Sequence, residues 1–233
     1  MRKVDPTDVR GDFESASKTI VDHFDRLVNS LASSTTKEGD TSQLATQSFL
    51  ALFVAFERFT SDLILAYLNR DFSAYQADLQ TRLNSSIEDR FGSGVFGLVT
   101  IKKHEHAPVA TIEAIVDPTG WNVTFSSVDK LKSFAGKALA PAHAARIASI
   151  NASETRLIET ARAIRDFIAH QSAGSKKRMN EALTTVSAGH HNAQLGRGVH
   201  EIQSVGSYLK AVHDGQRRLH RYAAGLLAVS AHM

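Results

Sequence analysis

The chain has 233 residues, 42% of them hydrophobic, and a formal net charge of +3. That length admits one large domain or two small ones, with enough apolar side chains for a buried core. No cysteine is present, which excludes a disulfide framework and any thiolate metal site; the mild basicity permits contact with nucleic acid without requiring it.

Hydrophobic spacing predicts a succession of helices. Asp12–Leu31 sets Phe13, Ile20, Phe24, Leu27 and Leu31 on one side. The polar stretch Ser33–Ser42 reads as a loop. A long helix is expected from Gln43 to Asn69. Its apolar run Phe49–Phe56 stops at Glu57 and Arg58 and is far too short to span a bilayer. Met1–Pro6 lacks the apolar stretch of a signal peptide. A cytoplasmic protein without membrane contact is therefore expected. Ser73–Arg90 repeats Tyr75, Leu79, Leu83 and Ile87 at four-residue spacing and predicts a third helix.

The pattern changes after residue 91. Gly92-Ser93-Gly94-Val95-Phe96-Gly97 matches the dinucleotide fingerprint, but that chemistry needs a strand before the glycines and a helix after them. A helix precedes it here, so it reads as a flexible loop. Val109–Val116 and Trp121–Ser126 are β-rich and flank the turn sequence Asp117-Pro118-Thr119-Gly120. They predict a β-hairpin within an insertion over 91–127. Trp121 and Phe125 are candidates for base stacking or for packing that hairpin onto the helices. Further helices are expected at Ser127–Ala138, Ala142–Ile150, a stretch reaching His170, Ser175–Val186 and Val199–Val229, with a Gly- and His-rich loop at Ala188–Gly198. The fold class is mainly α: an up-and-down helical bundle with a small β-hairpin insertion, in one domain over 1–233.

The stretch that bears on chemistry is Arg165-Asp166-Phe167-Ile168-Ala169-His170. Arginine is permanently charged and grips phosphate in a fork. Histidine gives and takes a proton near neutral pH. Phosphodiester cleavage without a metal can be built from those two groups. Ser153 is a possible N-cap of this helix and Gly174 a possible stop. Leu157, Ala161, Ile164 and Ile168 form its apolar stripe. Asp166 and His170 are i, i+4 neighbours, which places the carboxylate to orient the ring. Arg165 and His170 are about 140° apart around a straight helix. They meet at one phosphate only if the helix end distorts or a second copy supplies the missing group.

Arg, then an acid, then apolar residues, then His near the end of an inner helix resembles the signature of HEPN domains. The likeness is sharp over Ala161–Gln171 and extends loosely to Phe49–Arg70, similar to the family's long early helix. More specifically, the chain looks like the HEPN ribonucleases of bacterial defence and toxin systems, including the RiboL-PSP-HEPN branch. The resemblance implies a helical bundle, a face-to-face homodimer and metal-independent cleavage of RNA. It further implies a possible antitoxin or defence-system partner protein. Arg165, His170 and Asp166 are then the catalytic set, with no cofactor and no metal. Arg162, Lys176, Lys177 and Arg178 are candidates for contacting the RNA backbone, as are Arg217, Arg218 and Arg221 in the last helix.

Two alternatives stay open beside the enzyme: a catalytically inactive HEPN-like adaptor or binding module, and a structural helical oligomer in which the Arg–His pair is coincidental. The histidines His190, His191, His200, His213 and His220 crowd the C-terminal part without an H-E-x-x-H or Glu-x-x-His pattern. They read as solvated residues rather than a metal site.

Overall fold

The computed structural model describes residues 3–98, 107–117, 123–184 and 201–233, with the side chains of 96–98 excepted. The chain is mainly helical with a small two-stranded antiparallel sheet. It divides into two compact units, Met1–Val9 with Thr60–Ser149, and Arg10–Phe59 with Ile150–Met233. The boundaries fall inside the first two helices, α1 (Pro6–Ser30) and α2 (Lys37–Arg70).

Both helices begin earlier than expected. Pro6 suits a first helical turn because its missing N–H has no partner there anyway. The segment expected as a loop is already helical from Lys37, with Glu38 and Asp40 near the positive end of the helix.

The unit formed by Met1–Val9 and Thr60–Ser149 contains α3 (Ser73–Phe91), a short 3-10 helix (Ser93–Leu98), α4 (Val109–Val116), α5 (Val128–Ala138) and α6 (Pro141–Ala148). Leu63, Ile64, Tyr67, Ile112, Leu131, Ala135 and Ile147 are buried in it. Asn69 ties two segments down: its Oδ1 accepts from the Val4 N–H at 2.9 Å and its Nδ2 donates to the Ala107 carbonyl at 3.0 Å.

Here the hairpin expectation is corrected. Val109–Val116 is helical, and residues 123–126 form no strand. A short apolar run of eight residues carries no periodicity that separates a strand from a buried helix. Ile112 resolves the ambiguity as the buried member of α4, while Ile115 stays on the surface. Pro118, Thr119, Gly120 and Trp121 lie outside the described residues. Phe125 packs on Phe134 at 5.3 Å between ring centroids, so its ring serves the unit's packing. The glycine-rich 92–97 segment follows a helix and enters a 3-10 turn, with Gly92 at φ +74°, and forms no strand-to-helix phosphate cradle.

The second unit, Arg10–Phe59 with Ile150–Met233, carries α7 (Ala152–His170), α8 (Ala173–Thr184), α9 (Val205–Lys210), β1 (Val212–His213), β2 (Gln216–Arg217) and α10 (Arg218–His232). Phe13 stacks on Phe59 at 5.0 Å and meets Phe56 edge-on at 5.7 Å. α7 packs along α8 and α10 through Leu157, Ile158, Ala161 and Ile164. The loop expected at Ala188–Gly198 lies outside the described residues, as do His190, His191 and His200. Val199–Val229 is not one helix. Val212 pairs with Arg217 and His213 with Gln216 across a two-residue turn. Asp214 (φ +49°) and Gly215 (φ +79°) both adopt the positive φ that a type I′ hairpin requires.

Tyr208 and Tyr222 face each other in this core, with hydroxyl oxygens 3.3 Å apart. The Arg218 guanidinium lies 4.7 Å above the Tyr208 ring, and Phe49 meets Tyr222 edge-on at 5.1 Å. Burial pushes the Tyr208 hydroxyl up to about 12 and the Tyr222 hydroxyl well above its ordinary value. An unfolded tyrosine ionises near 10, roughly. Stability is therefore complete below about pH 10 and falls as pH rises from there through about 12, because only the unfolded chain releases these protons. Each such proton steepens the loss by about 1.4 kcal/mol per pH unit. Tyr208→Phe is expected to flatten the stability–pH line between about pH 10 and 11 in urea titrations. An unchanged slope would show that this hydroxyl does not hold its proton more tightly in the folded chain.

Candidate functional site

The motif helix α7 is capped two residues before the serine expected to cap it. Asn151 is the N-cap: its Oδ1 accepts from the N–H groups of Ser153 and Glu154 at 2.8 and 3.0 Å. The Glu154 carboxylate returns the favour to the Asn151 N–H at 2.8 Å. This reciprocal capping box anchors the start of the helix. The helix runs without interruption to His170 and stops because Gln171 turns left-handed, at φ +48°. Gly174 is not the stop but lies inside α8. Ser172 opens α8, its Oγ accepting from the Ser175 N–H at 3.1 Å. His170 thus sits at a tight corner between two packed helices.

Arg165 is held from two sides. Its Nη2 donates to Glu57 Oε2 at 2.6 Å, reaching α2 across 108 residues of sequence. Its Nη1 donates to Asp166 Oδ1 at 2.8 Å. The three side chains are 28%, 22% and 31% exposed, so the cluster is half-buried yet open to solvent. Partial burial opposes the guanidinium's charge, but Glu57 and then Asp166 outweigh it and hold Arg165 above its ordinary value.

Asp166 was expected to orient His170. In the free protein its carboxylate engages its sequence neighbour, and no side-chain hydrogen bond joins it to His170 among the described residues. His170 is exposed, and its side chain makes no hydrogen bond or ion pair among the described residues. Because α7 stays α-helical through His170, Arg165 and His170 leave it about 140° apart. Helix distortion therefore does not bring them together within one chain.

The flanking cations divide into two kinds. Lys177 and Arg178 are exposed on the first turns of α8, just past the corner, and Lys177 lies 3.8 Å from Glu181. Lys176 donates to Gln203 Oε1 at 2.9 Å. Arg162 is mostly buried and lies 3.6 Å from Glu159. The later arginines serve the unit's own packing: Arg217 donates to the Lys210 carbonyl at 3.0 Å, Arg218 covers Tyr208, and Arg221 reaches Asp214 at 3.2 Å.

The described C-terminal histidines do not converge. His213 lies 3.1 Å from Asp214, and His220 lies 3.0 Å from Asp25 on α1. Among the described residues, no group of three or more His, Asp or Glu side chains is arranged to hold a metal ion. No described helix is long and apolar enough to cross a membrane.

Glu57 is the member of this candidate site that sequence reasoning did not assign. Its signal was a lone carboxylate closing an apolar run in a helix. Such a group is seldom drawn fully into a core without a partner. Nothing local named that partner. Comparison with family models, with curated proteins and with solved structures yields no match.

Proposed function

We propose that this chain is a metal-independent endoribonuclease of the HEPN type, acting in antiviral defence or as a toxin. One observation carries the reading. Arg165 is fixed at the half-exposed surface by two carboxylates, while His170 on the same helix is exposed and carries no internal bond. A proton carrier has to be accessible, and a phosphate clamp has to be aimed.

In this reading His170 takes the proton of a ribose 2′-hydroxyl, or returns one to the departing 5′-oxygen. The 2′-oxygen attacks phosphorus as the P–O5′ bond breaks. The products are a 2′,3′-cyclic phosphate and a 5′-hydroxyl. Arg165 holds the scissile phosphate and offsets its developing charge. Lys176, Lys177 and Arg178 extend phosphate contact beyond the corner. The divergence of Arg165 and His170 supports a two-fold homodimer in which Arg165 of one copy and His170 of the other meet at one phosphate. An antitoxin or defence-system protein is the expected regulator.

The test is cleavage of single-stranded RNA by the purified chain in excess EDTA. Activity is expected to survive. Loss in EDTA and recovery with manganese would move the chemistry elsewhere. Absence of cleavage under all conditions would favour a silent adaptor built on the same bundle. The dimer has its own assay. Mixing inactive Arg165→Ala and His170→Ala chains should restore about a quarter of wild-type activity. Roughly half of the dimers are then mixed, and each keeps one of its two composite sites. Mixtures that stay inactive despite subunit exchange would place both groups of a site in one chain.

A further inference from the structure

We infer that Asp166 is an internal stand-in for the substrate phosphate: it occupies one arm of Arg165 in the free protein, is displaced when phosphate arrives, and then turns to His170. The inference rests on the ribonuclease reading of this site.

The geometry sets the order of release. Arg165 is one cation between two carboxylates, so the cluster carries a net negative charge while both are ionised. A phosphate approaching it is repelled unless one carboxylate yields. Arg162, one turn back, lies beside Glu159 and is mostly buried, so it does not offset the excess. Glu57 is the poorer candidate to leave. Its contact is the shorter at 2.6 Å, its side chain the less exposed at 22%, and it projects from a separate helix that fixes its place. Asp166 is held at 2.8 Å through a single oxygen, is 31% exposed, and is the residue next to Arg165. Adjacent residues on a helix do not face each other, so the arginine has to bend sideways to make this contact. An exposed pair of that kind is weak. A phosphate offers the Nη1 arm a stronger, charge-assisted acceptor.

The displaced carboxylate has a destination. Asp166 and His170 are one turn apart on the same face, and the His170 ring has no other hydrogen bond. Phosphate binding would then do two things at once. It neutralises Arg165 from outside, and it frees the group that steadies the imidazole. In the two-fold dimer this His170 belongs to the second composite site, so phosphate on one Arg165 readies the proton carrier of the other site, and both carriers are steadied only when substrate fills both sites. Asp166 is in this sense a positioning residue that also weakens ground-state binding.

Asp166→Asn separates the two effects. The probes are inorganic phosphate and a 2′-deoxy single-stranded oligonucleotide, which lacks the attacking hydroxyl. Both should bind Asp166→Asn about 2- to 5-fold more tightly than wild type, as expected when a weak competing ion pair is removed. Asp166→Ala should tighten binding equally, which excludes a new bond from the Asn amide. In an Arg165→Ala background the gain should vanish. Cleavage of RNA at saturation should meanwhile slow by roughly 10-fold, because His170 has lost its orienting partner. A merely structural Asp166 cannot tighten binding while slowing turnover. Unchanged or weaker binding in both Asp166 variants, with wild-type binding still dependent on Arg165, overturns the proposal and leaves the ribonuclease reading standing. So does tighter binding with undiminished turnover. If probe binding never depends on Arg165, both fall together.

Discussion

Arg165→Ala and His170→Ala should each slow RNA cleavage by about 100-fold or more, while the same preparations bind and fold differently from one another. A positioned general acid–base group contributes about 10²–10⁴-fold, and a preorganised cation facing a developing negative charge contributes on a similar scale, roughly 10²–10³-fold. The structural consequences are unequal. His170 is exposed and unbonded, so His170→Ala should melt at the wild-type temperature. Arg165→Ala leaves Glu57 and Asp166 without their shared cation. Glu57 is the less exposed of the two, so stability should drop modestly. Arg165→Lys isolates the chemistry. It keeps the charge and one ion pair but loses the planar fork, which cannot then hold Glu57 and a phosphate together. Cleavage should fall sharply with little change in melting. The measurement is initial cleavage rate on a labelled RNA, alongside thermal denaturation of each variant. Wild-type rates in His170→Ala would remove the proton carrier from the proposed site and, with it, the case for catalysis at α7.

Periodic helices were the legible part of this chain. α1, α2, α3 and α5 show their buried faces as repeats of large apolar residues; the structure starts α1 and α2 six residues earlier and moves the other ends by one residue at most. The errors fall where local signals compete. At Val109–Val116, β-branched residues and a following Asp-Pro-Thr-Gly argued for a strand, yet one buried isoleucine and helical burial decided otherwise. At Asp214-Gly215 the opposite happened. A strong hairpin dipeptide was present, but the apolar spacing on both sides ran on as though through one helix. The candidate site was half readable. Arg165 and His170 stand out because their chemistry is local to one segment. Glu57 could not be paired with Arg165 from sequence, because their contact spans 108 positions and depends on how α2 and α7 pack. The contact Asp166 makes in the free protein was not legible for a related reason. Helical spacing showed that it could reach His170, but not that a flexible arginine beside it would take it first.

Gly206→Ala should be the most damaging glycine-to-alanine change among the described helical glycines of the unit formed by Arg10–Phe59 and Ile150–Met233. A Cβ at this position would lie 2.1 Å from the Ser42 carbonyl oxygen and 2.6 Å from its carbon. These are backbone atoms of α2, so no side chain can swing away. α9 has to lift off α2, and it carries Val205, Tyr208 and Leu209, all buried. Tyr208 in turn meets Tyr222. The helix-propensity gain of Ala over Gly, at most about 1 kcal/mol, is opposed by overpacking of about 1–3 kcal/mol or more where the obstacle is rigid. A net loss near 2 kcal/mol is expected, or several degrees in melting temperature for a chain of this size. Gly225→Ala provides the contrast. Its Cβ would meet Leu157 Cδ2 at 2.4 Å, the far end of a flexible side chain. Leu157 can change rotamer, so the loss should be smaller, about 1 kcal/mol. Urea denaturation of the two variants ranks them directly. If Gly206→Ala proves the milder of the pair, α9 does not approach the α2 backbone as closely as the structure places it. The buried pairing of Tyr208 with Tyr222 then needs another support.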